Sequence, residues 1–315
     1  MWGEAQPHIP TRSNGATPMD AVLPDFDARW NYDDPAASER LFRELLPLAE
    51  QRGVAAYRAE LLTQIARAAG LQRKFAEAHV TLDEAQRLIG SVPAGADPAI
   101  ERARVRCLLE RGRALNTAGQ PEPARALFAE AWELARARGE DGFAVDAAHM
   151  LAIVASADGQ IEWNERALDL AARNDQPRAR QWLGSLYNNL GWSYHDLGRY
   201  QDALVMFERA LRQRQDRGEA GPIRIARWCV ARAKRSLGRV EEALATQQLL
   251  LDELERAGAS DGYVHEELGE CLLALGRIDE ARPHFARAYA ELSADQWLAE
   301  SEPERIERLR RLGRE

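Results

Sequence analysis

A glycine turn followed five residues later by a small side chain recurs along this 315-residue chain at a nearly constant interval. The turns read Ala118-Gly119-Gln120, Asp158-Gly159-Gln160, Leu197-Gly198-Arg199, Leu237-Gly238-Arg239 and Leu275-Gly276-Arg277. Five places beyond each glycine stand Ala124, Asn164, Ala203, Ala243 and Ala281, at intervals of 40, 39, 40 and 38. A weaker copy has Arg73 in the glycine place and Ala78 in the small-residue place, 46 residues before Ala124, with the extra length in the loop from Ser91 to Pro98. A regular period of this length implies one supersecondary unit stacked repeatedly, each copy burying its apolar face against its neighbours.

The unit is a helical hairpin. The stretches between turns are rich in Ala, Leu, Glu and Arg, which lose little side-chain freedom in a helix. A glycine after a helix supplies the left-handed backbone that closes its last turn. No stretch alternates apolar and polar residues as a half-buried strand would. The expected fold is therefore all-α, a solenoid of stacked antiparallel hairpins. Residues 1–24, rich in Pro, Gly, Ser, Thr and Asn without a period, read as a mobile tail. Residues 25–53 read as a half repeat, opened by Asp33-Asp34-Pro35 and continued by Leu41, Leu45 and Leu48 at helical spacing. About six hairpins are expected over 54–300. A capping helix and tail are expected over 301–315, opened by Glu302-Pro303-Glu304.

The chain carries 42 basic and 50 acidic residues, a net charge of −8, which argues against nucleic acid as the main ligand. The charge is uneven. Glu208 to Arg239 holds ten Lys or Arg against three acids, and Val240 to Glu304 holds four against sixteen. Either these are solvated helix faces of alternating sign, or they form a bipolar surface that orients a charged partner. Cys107, Cys229 and Cys271 lie far apart in apolar helical stretches, so neither a disulfide framework nor a zinc motif is expected. The first residues show no cationic start followed by an apolar run, and no apolar stretch reaches the roughly 18 residues needed to span a bilayer. A cytoplasmic location with no membrane partner is the expectation.

The copy from Gly184 to Arg217 carries Tyr187, Leu190, Gly191, Tyr194, Ala203, Phe207 and Ala210. The copy from Gly262 carries Leu268, Gly269, Leu272, Ala281, Phe285 and Ala288, and a third carries Gly112, Ala124, Phe128 and Ala131. This pattern resembles the tetratricopeptide repeat, in a long-repeat form, over roughly Ala59 to Ala290. Gly191 and Ala203 are expected where the two helices of a hairpin cross, since only small side chains let them approach. Two departures stand out. The period exceeds the family's about 34 residues, with no closing proline at Gln215. In the fifth copy Arg227 and Lys234 replace aromatics, so that repeat is expected to be loose or adapted.

The resemblance implies that one face of each first helix lines a concave surface and meets the ligand, with the right-handed superhelix of the family. By register that face holds Arg113, Asn116 and His149, then Asn188, Trp192, His195 and Asp196. It continues with Trp228, Arg232 and Arg235, then Tyr263, Glu266 and Glu270. Asn pairs both donors and acceptors of a peptide backbone, Arg takes carboxylates, and Trp offers flat area at low entropy cost. Salt bridges between neighbouring repeats are the alternative reading of the same set. Asn188 and Trp192 are its sharpest members, because asparagine has no propensity reason to sit mid-helix. His149, His195 and Asp196 lack the spacing of a metal motif, and Cys229 lacks a partnering His, so no metal, cofactor or catalytic centre is expected. The expected function is a scaffold or receptor for a protein or peptide, possibly one with an acidic group. A nucleic-acid-associated regulator using 208–239 is the alternative; an enzyme has the least support, and the sequence gives no oligomeric state.

Overall fold

The computed structural model describes residues 23–218 and 220–314, so most of the segment read as a tail lies outside the described residues. Every regular element among them is helical. A 3-10 turn at Asp27–Arg29 precedes α1 (Pro35–Gln51), α2 (Ala55–Leu71), α3 (Phe75–Gly90) and α4 (Pro98–Thr117). Then come α5 (Pro121–Arg138), α6 (Asp141–Ile153), α7 (Ala157–Ala172) and the single turn α8 (Pro177–Arg180). The series continues with α9 (Leu183–Asp196), α10 (Tyr200–Arg217), α11 (Ala220–Ser236) and α12 (Val240–Arg256). It closes with α13 (Gly262–Ala274), α14 (Ile278–Leu292), α15 (Gln296–Ser301) and α16 (Pro303–Leu312). The helices fall into two compact units, residues 1–127 and 128–315. Within each unit helices pack in succession, α1 to α4 in the first and α9 to α14 in the second, as stacked hairpins require.

In the first unit α1 begins as its sequence dictates. Asp34 accepts from the amide of Ala37 and Pro35 sits at the first helical position. Phe42, Leu61, Leu62, Ile65 and Leu82 form the core. Phe26 seals the open end of that core, and the Tyr57 hydroxyl donates to the Pro24 carbonyl at 2.8 Å. Arg106 is buried between Asp27 and Glu60, which together hold its charge in the interior. Arg73 adopts φ +61°, the left-handed turn that glycine supplies in the other copies.

In the second unit one contact sets the distance between the helices of a hairpin. A methyl group on Gly191 would lie 2.5 Å from the Phe207 ring, and one on Gly269 would lie 2.8 Å from the Phe285 ring. Ala203 and Ala281 are buried beside them. Each glycine stands twelve residues before its alanine and each phenylalanine four after it. The hairpin of α11 and α12 departs from this. At the corresponding positions it has Ala231 and Gln247, both with no exposed surface. Neither polar atom of the Gln247 amide has a hydrogen-bond partner among the described residues. The Arg227 and Lys234 substitutions prove adapted: Arg227 reaches Glu253 at 2.7 Å and Lys234 reaches Glu242 at 3.1 Å, both on α12. α16 lies on α14, with Leu309 buried beside Phe285, Leu292 and Leu298.

One expected turn is wrong. Asp158, Gly159 and Gln160 are inside α7, and the chain turns at Val154–Ser156 instead. In the other hairpins the second helix begins three residues before its small residue; α7 begins seven before Asn164. The turn is displaced by one helical turn towards the N-terminus, and Gly159 takes ordinary helical backbone rather than the left-handed conformation.

Two outcomes follow from this packing. An unpartnered buried amide costs about 1–3 kcal/mol. Gln247→Phe alone would drive a ring into the Ala231 methyl, and Ala231→Gly alone would cost about 1 kcal/mol of helix propensity. Ala231→Gly with Gln247→Phe rebuilds the neighbouring arrangement, so the pair is expected to be more stable than the wild type although each single variant is not. Thermal melts of the four proteins test this; a double variant no better than the sum of the singles refutes it. The second outcome concerns His265 and His284, half-buried, with Nδ1 atoms 3.0 Å apart across α13 and α14. Burial holds both below the ordinary histidine range, and His265 further lowers His284. The unfolded chain therefore takes up protons at a pH where the folded chain does not. Their contribution is complete above about pH 6.5 and is lost as pH falls below it. The melting temperature should fall between about pH 7 and pH 5.5, more steeply in the wild type than in His284→Gln; equal slopes refute the assignment.

Candidate functional site

The first helices of successive hairpins in the second unit, α9, α11 and α13, together with α16, border a cavity of about 1150 Å³. It receives Trp192 from α9, Trp228, Arg232 and Arg235 from α11, and Tyr263, Glu266 and Glu270 from α13. Seven of the thirteen residues picked out by register thus face one space. Helical spacing brings them there: positions 228, 232 and 235 are separated by four and three and share one side of α11.

The floor of the cavity is aromatic. The rings of Trp192 and Trp228 have centroids 5.9 Å apart, and those of Trp228 and Tyr263 are 6.3 Å apart. Trp228 is fixed by its indole N–H, which donates to the Tyr263 carbonyl at 3.0 Å, leaving its apolar area for contact. Trp192 is braced from below by the Phe207 ring at 5.2 Å. Leu250, Leu254, Ile225 and Val264 extend the apolar surface.

The walls are charged, and the charges are largely committed. Arg232 binds Glu267 at 3.0 Å, and Arg235 binds the same carboxylate at 2.5 and 3.2 Å. Glu267 is 1% exposed, and burial pushes its carboxyl up to about 7 against the pull of Arg235. Arg305 binds Glu266 at 2.9 Å and Glu302 at 3.0 Å, and lies over the Tyr263 ring. Arg308 is paired with Glu270. The salt-bridge alternative is therefore what the structure has for Arg232, Arg235, Glu266 and Glu270, each of which spans to a neighbouring first helix or to α16. Arg239 of the basic stretch is likewise held by Glu242 of the acidic one. Arg224 differs. It lines the cavity one helical turn before Trp228, is exposed, and has no ion pair with any described residue.

The other residues picked out by register lie elsewhere. His195 and Ser236 meet at 2.9 Å between α9 and α11, and burial holds the imidazole below its ordinary range. Asp196 is exposed. Asn188 accepts from the buried Cys229 thiol at 3.5 Å, and burial pushes that thiol up to about 12. Asn189, not Asn188, is the asparagine that meets His149, at 3.2 Å. Arg113 and Asn116 belong to the first unit, on α4, where Arg113 pairs with Glu110. Register missed Arg224, Glu267, Arg305 and Arg308 in the cavity wall. Extending the 228–232–235 stripe back by four residues would have found Arg224. Nothing local marks Arg305 and Arg308, which act on residues 38 and 39 positions away.

Among the described residues no cluster of three potential metal ligands occurs, and no helix is long and apolar enough to cross a membrane.

Residues 185–216, spanning α9 and α10, match the tetratricopeptide repeat model. A search of curated protein sequences gives no match. Similar solved structures include a signal transduction ATPase with numerous domains from Pyrococcus horikoshii, which carries a tetratricopeptide repeat sensor. The TM-score is 0.66 at 14% identity, over 90% of this chain but only 42% of that one. A Rap protein complexed with competence and sporulation factor superposes with a TM-score of 0.54 at 16% identity, over 89% of this chain and 76% of that one. NprR in complex with its cognate peptide NprX gives 0.51 at 15% identity, over 91% and 83%. At these identities the likeness is one of fold: residues 185–216 match a tetratricopeptide repeat, and the described chain has the helical-hairpin fold of such proteins.

Proposed function

We propose that this protein is a receptor for a peptide or a peptide-like segment of another protein, held in the cavity of the second unit. It acts by binding rather than by catalysis. The observation that carries the reading is the row of Trp192, Trp228 and Tyr263 on three successive first helices, backed by rigid packing and opening into about 1150 Å³. Such a row offers flat apolar area at repeating intervals along an extended chain, and rigid aromatic anchors are where binding energy concentrates. The likeness in fold to NprR, a protein solved with its cognate peptide, supports the same reading. The cations of 208–239 offer less to a nucleic acid than the sequence suggests, because Arg227, Arg232, Lys234, Arg235 and Arg239 are already held by carboxylates.

The test is selection of peptides from a displayed random library on the purified protein, followed by affinity measurement on variants that keep the wild-type helical spectrum. Trp228→Ala and Trp192→Ala are each expected to weaken the selected peptides by about 2 kcal/mol, roughly 30-fold. The exposed Arg212→Ala serves as the control and is expected to leave affinity unchanged. Tryptophan variants that bind as well as the control would move the working surface elsewhere.

A further inference from the structure

The charges around the cavity are balanced in number but not in place. Five cations line it, Arg224, Arg232 and Arg235 on α11 with Arg305 and Arg308 on α16. Five acids line it as well, Asp261, Glu266, Glu267, Glu270 and Glu302. Their pairings leave a pattern. Glu267 alone answers both Arg232 and Arg235, so the α11 side keeps one positive charge there and a second on the unpaired Arg224. On the opposite side Glu270 is answered by Arg308, while Arg305 is shared by Glu266 and Glu302. Asp261 has no cation among the described residues; its carboxylate accepts only from the Tyr263 amide. That side keeps two negative charges, from the Arg305 group and from Asp261.

The charges left over from these pairings also share an edge. Arg224 lies in the first turns of α11, Asp261 is the N-terminal cap of α13, and Glu302 is the N-terminal cap of α16. The deeper part of each wall, around Glu267, Glu270 and Arg308, is saturated. A ligand group of either sign entering there would have to break a pair made by a largely buried carboxylate. At Arg224 and Asp261 no ion pair with a described residue needs to be broken, and Glu302 shares its cation, Arg305, with Glu266.

We infer that the ligand is a peptide carrying an acidic group and a basic group close together, bound across this edge with the acid at Arg224 and the base at Asp261 and Glu302. The inference rests on the peptide-receptor reading and adds the ligand's polarity to it. An extended chain advances about 3.3 Å per residue, so the acid and the base stand a few residues apart, with an apolar side chain between them on Trp228. Reversing the peptide's charge order would set acid against acid and base against base, so orientation is selected as well as composition.

The experiment uses the full chain and an array of synthetic octapeptides, capped at both ends, in which one acid and one base are placed at every spacing and in both orders around a central leucine or tryptophan. Proteins compared are the wild type, Arg224→Glu, Asp261→Asn with Glu302→Gln, and Trp228→Ala, each checked for its helical spectrum. The wild type is expected to prefer one order of acid and base at least tenfold over its reverse. Arg224→Glu should lose the preference for the acid at least tenfold while retaining apolar peptides, and Asp261→Asn with Glu302→Gln should lose the preference for the base. Wild-type binding that depends on Trp228 but ignores charge order, or an Arg224→Glu protein with unchanged preference, overturns this inference and leaves the receptor reading standing. Binding that is absent from the whole array, or equal in Trp228→Ala, overturns both.

Discussion

The spacing of the second unit depends on one steric fact. In two of its hairpins a phenylalanine ring rests where a side chain would otherwise begin, against Gly191 in one and Gly269 in the other. A ring cannot be compressed, and a buried one has nowhere to turn. The contact therefore fixes how near the two helices come, and with it the pitch at which the next first helix is laid down. The aromatic row of the cavity inherits its regular interval from this. Trp192 even leans on Phe207, so the ring that sets the hairpin's width also supports a residue of the floor.

Between those hairpins stands one built differently. Ala231 and Gln247 fill the same space with a methyl group and an amide, and the amide has no hydrogen-bond partner among the described residues. The hairpin recovers some hold through charged arms, Arg227 to Glu253 and Lys234 to Glu242, which lie at partly exposed positions where ion pairs contribute modestly. This is also the hairpin whose first helix supplies Arg224, Trp228, Arg232 and Arg235 to the cavity. The least conventional packing and the greatest share of the cavity wall coincide in α11.

Much of this was legible in the sequence, for a physical reason. Hairpin geometry is local: a glycine turn, a small residue and an aromatic at fixed offsets state it within about 34–40 residues. Arg73, in the glycine place of the first copy, adopts the left-handed backbone that its position demands. The failure at Gly159 has a cause of the same kind. The buried position at Asn164 kept its interval, but the turn before it slid by one helical turn, which a count between small residues cannot detect. The site was legible only as far as one helix face is legible. Register found Trp228, Arg232 and Arg235, yet assigned the arginines to a ligand. Their partner, Glu267, lies 35 and 32 residues away, and no local rule joins such positions. Arg224 belonged to the same stripe and was passed over because the stripe was begun one turn too late.

The last helix gives the array a property that terminal helices in a stack need not have. α16 covers the apolar end of the final hairpin with Leu309, and from the same ten residues it sends Arg305 and Arg308 into the cavity wall. The cover of the core and the charge of the cavity wall thus depend on one element. Shortening or displacing it would uncover Phe285 and Leu292 and, at the same time, release Glu266 and Glu270 from their partners, turning a neutral cavity acidic. Any event that loosens this helix, whether a substitution or a partner pulling on it, therefore also changes the charge of the cavity.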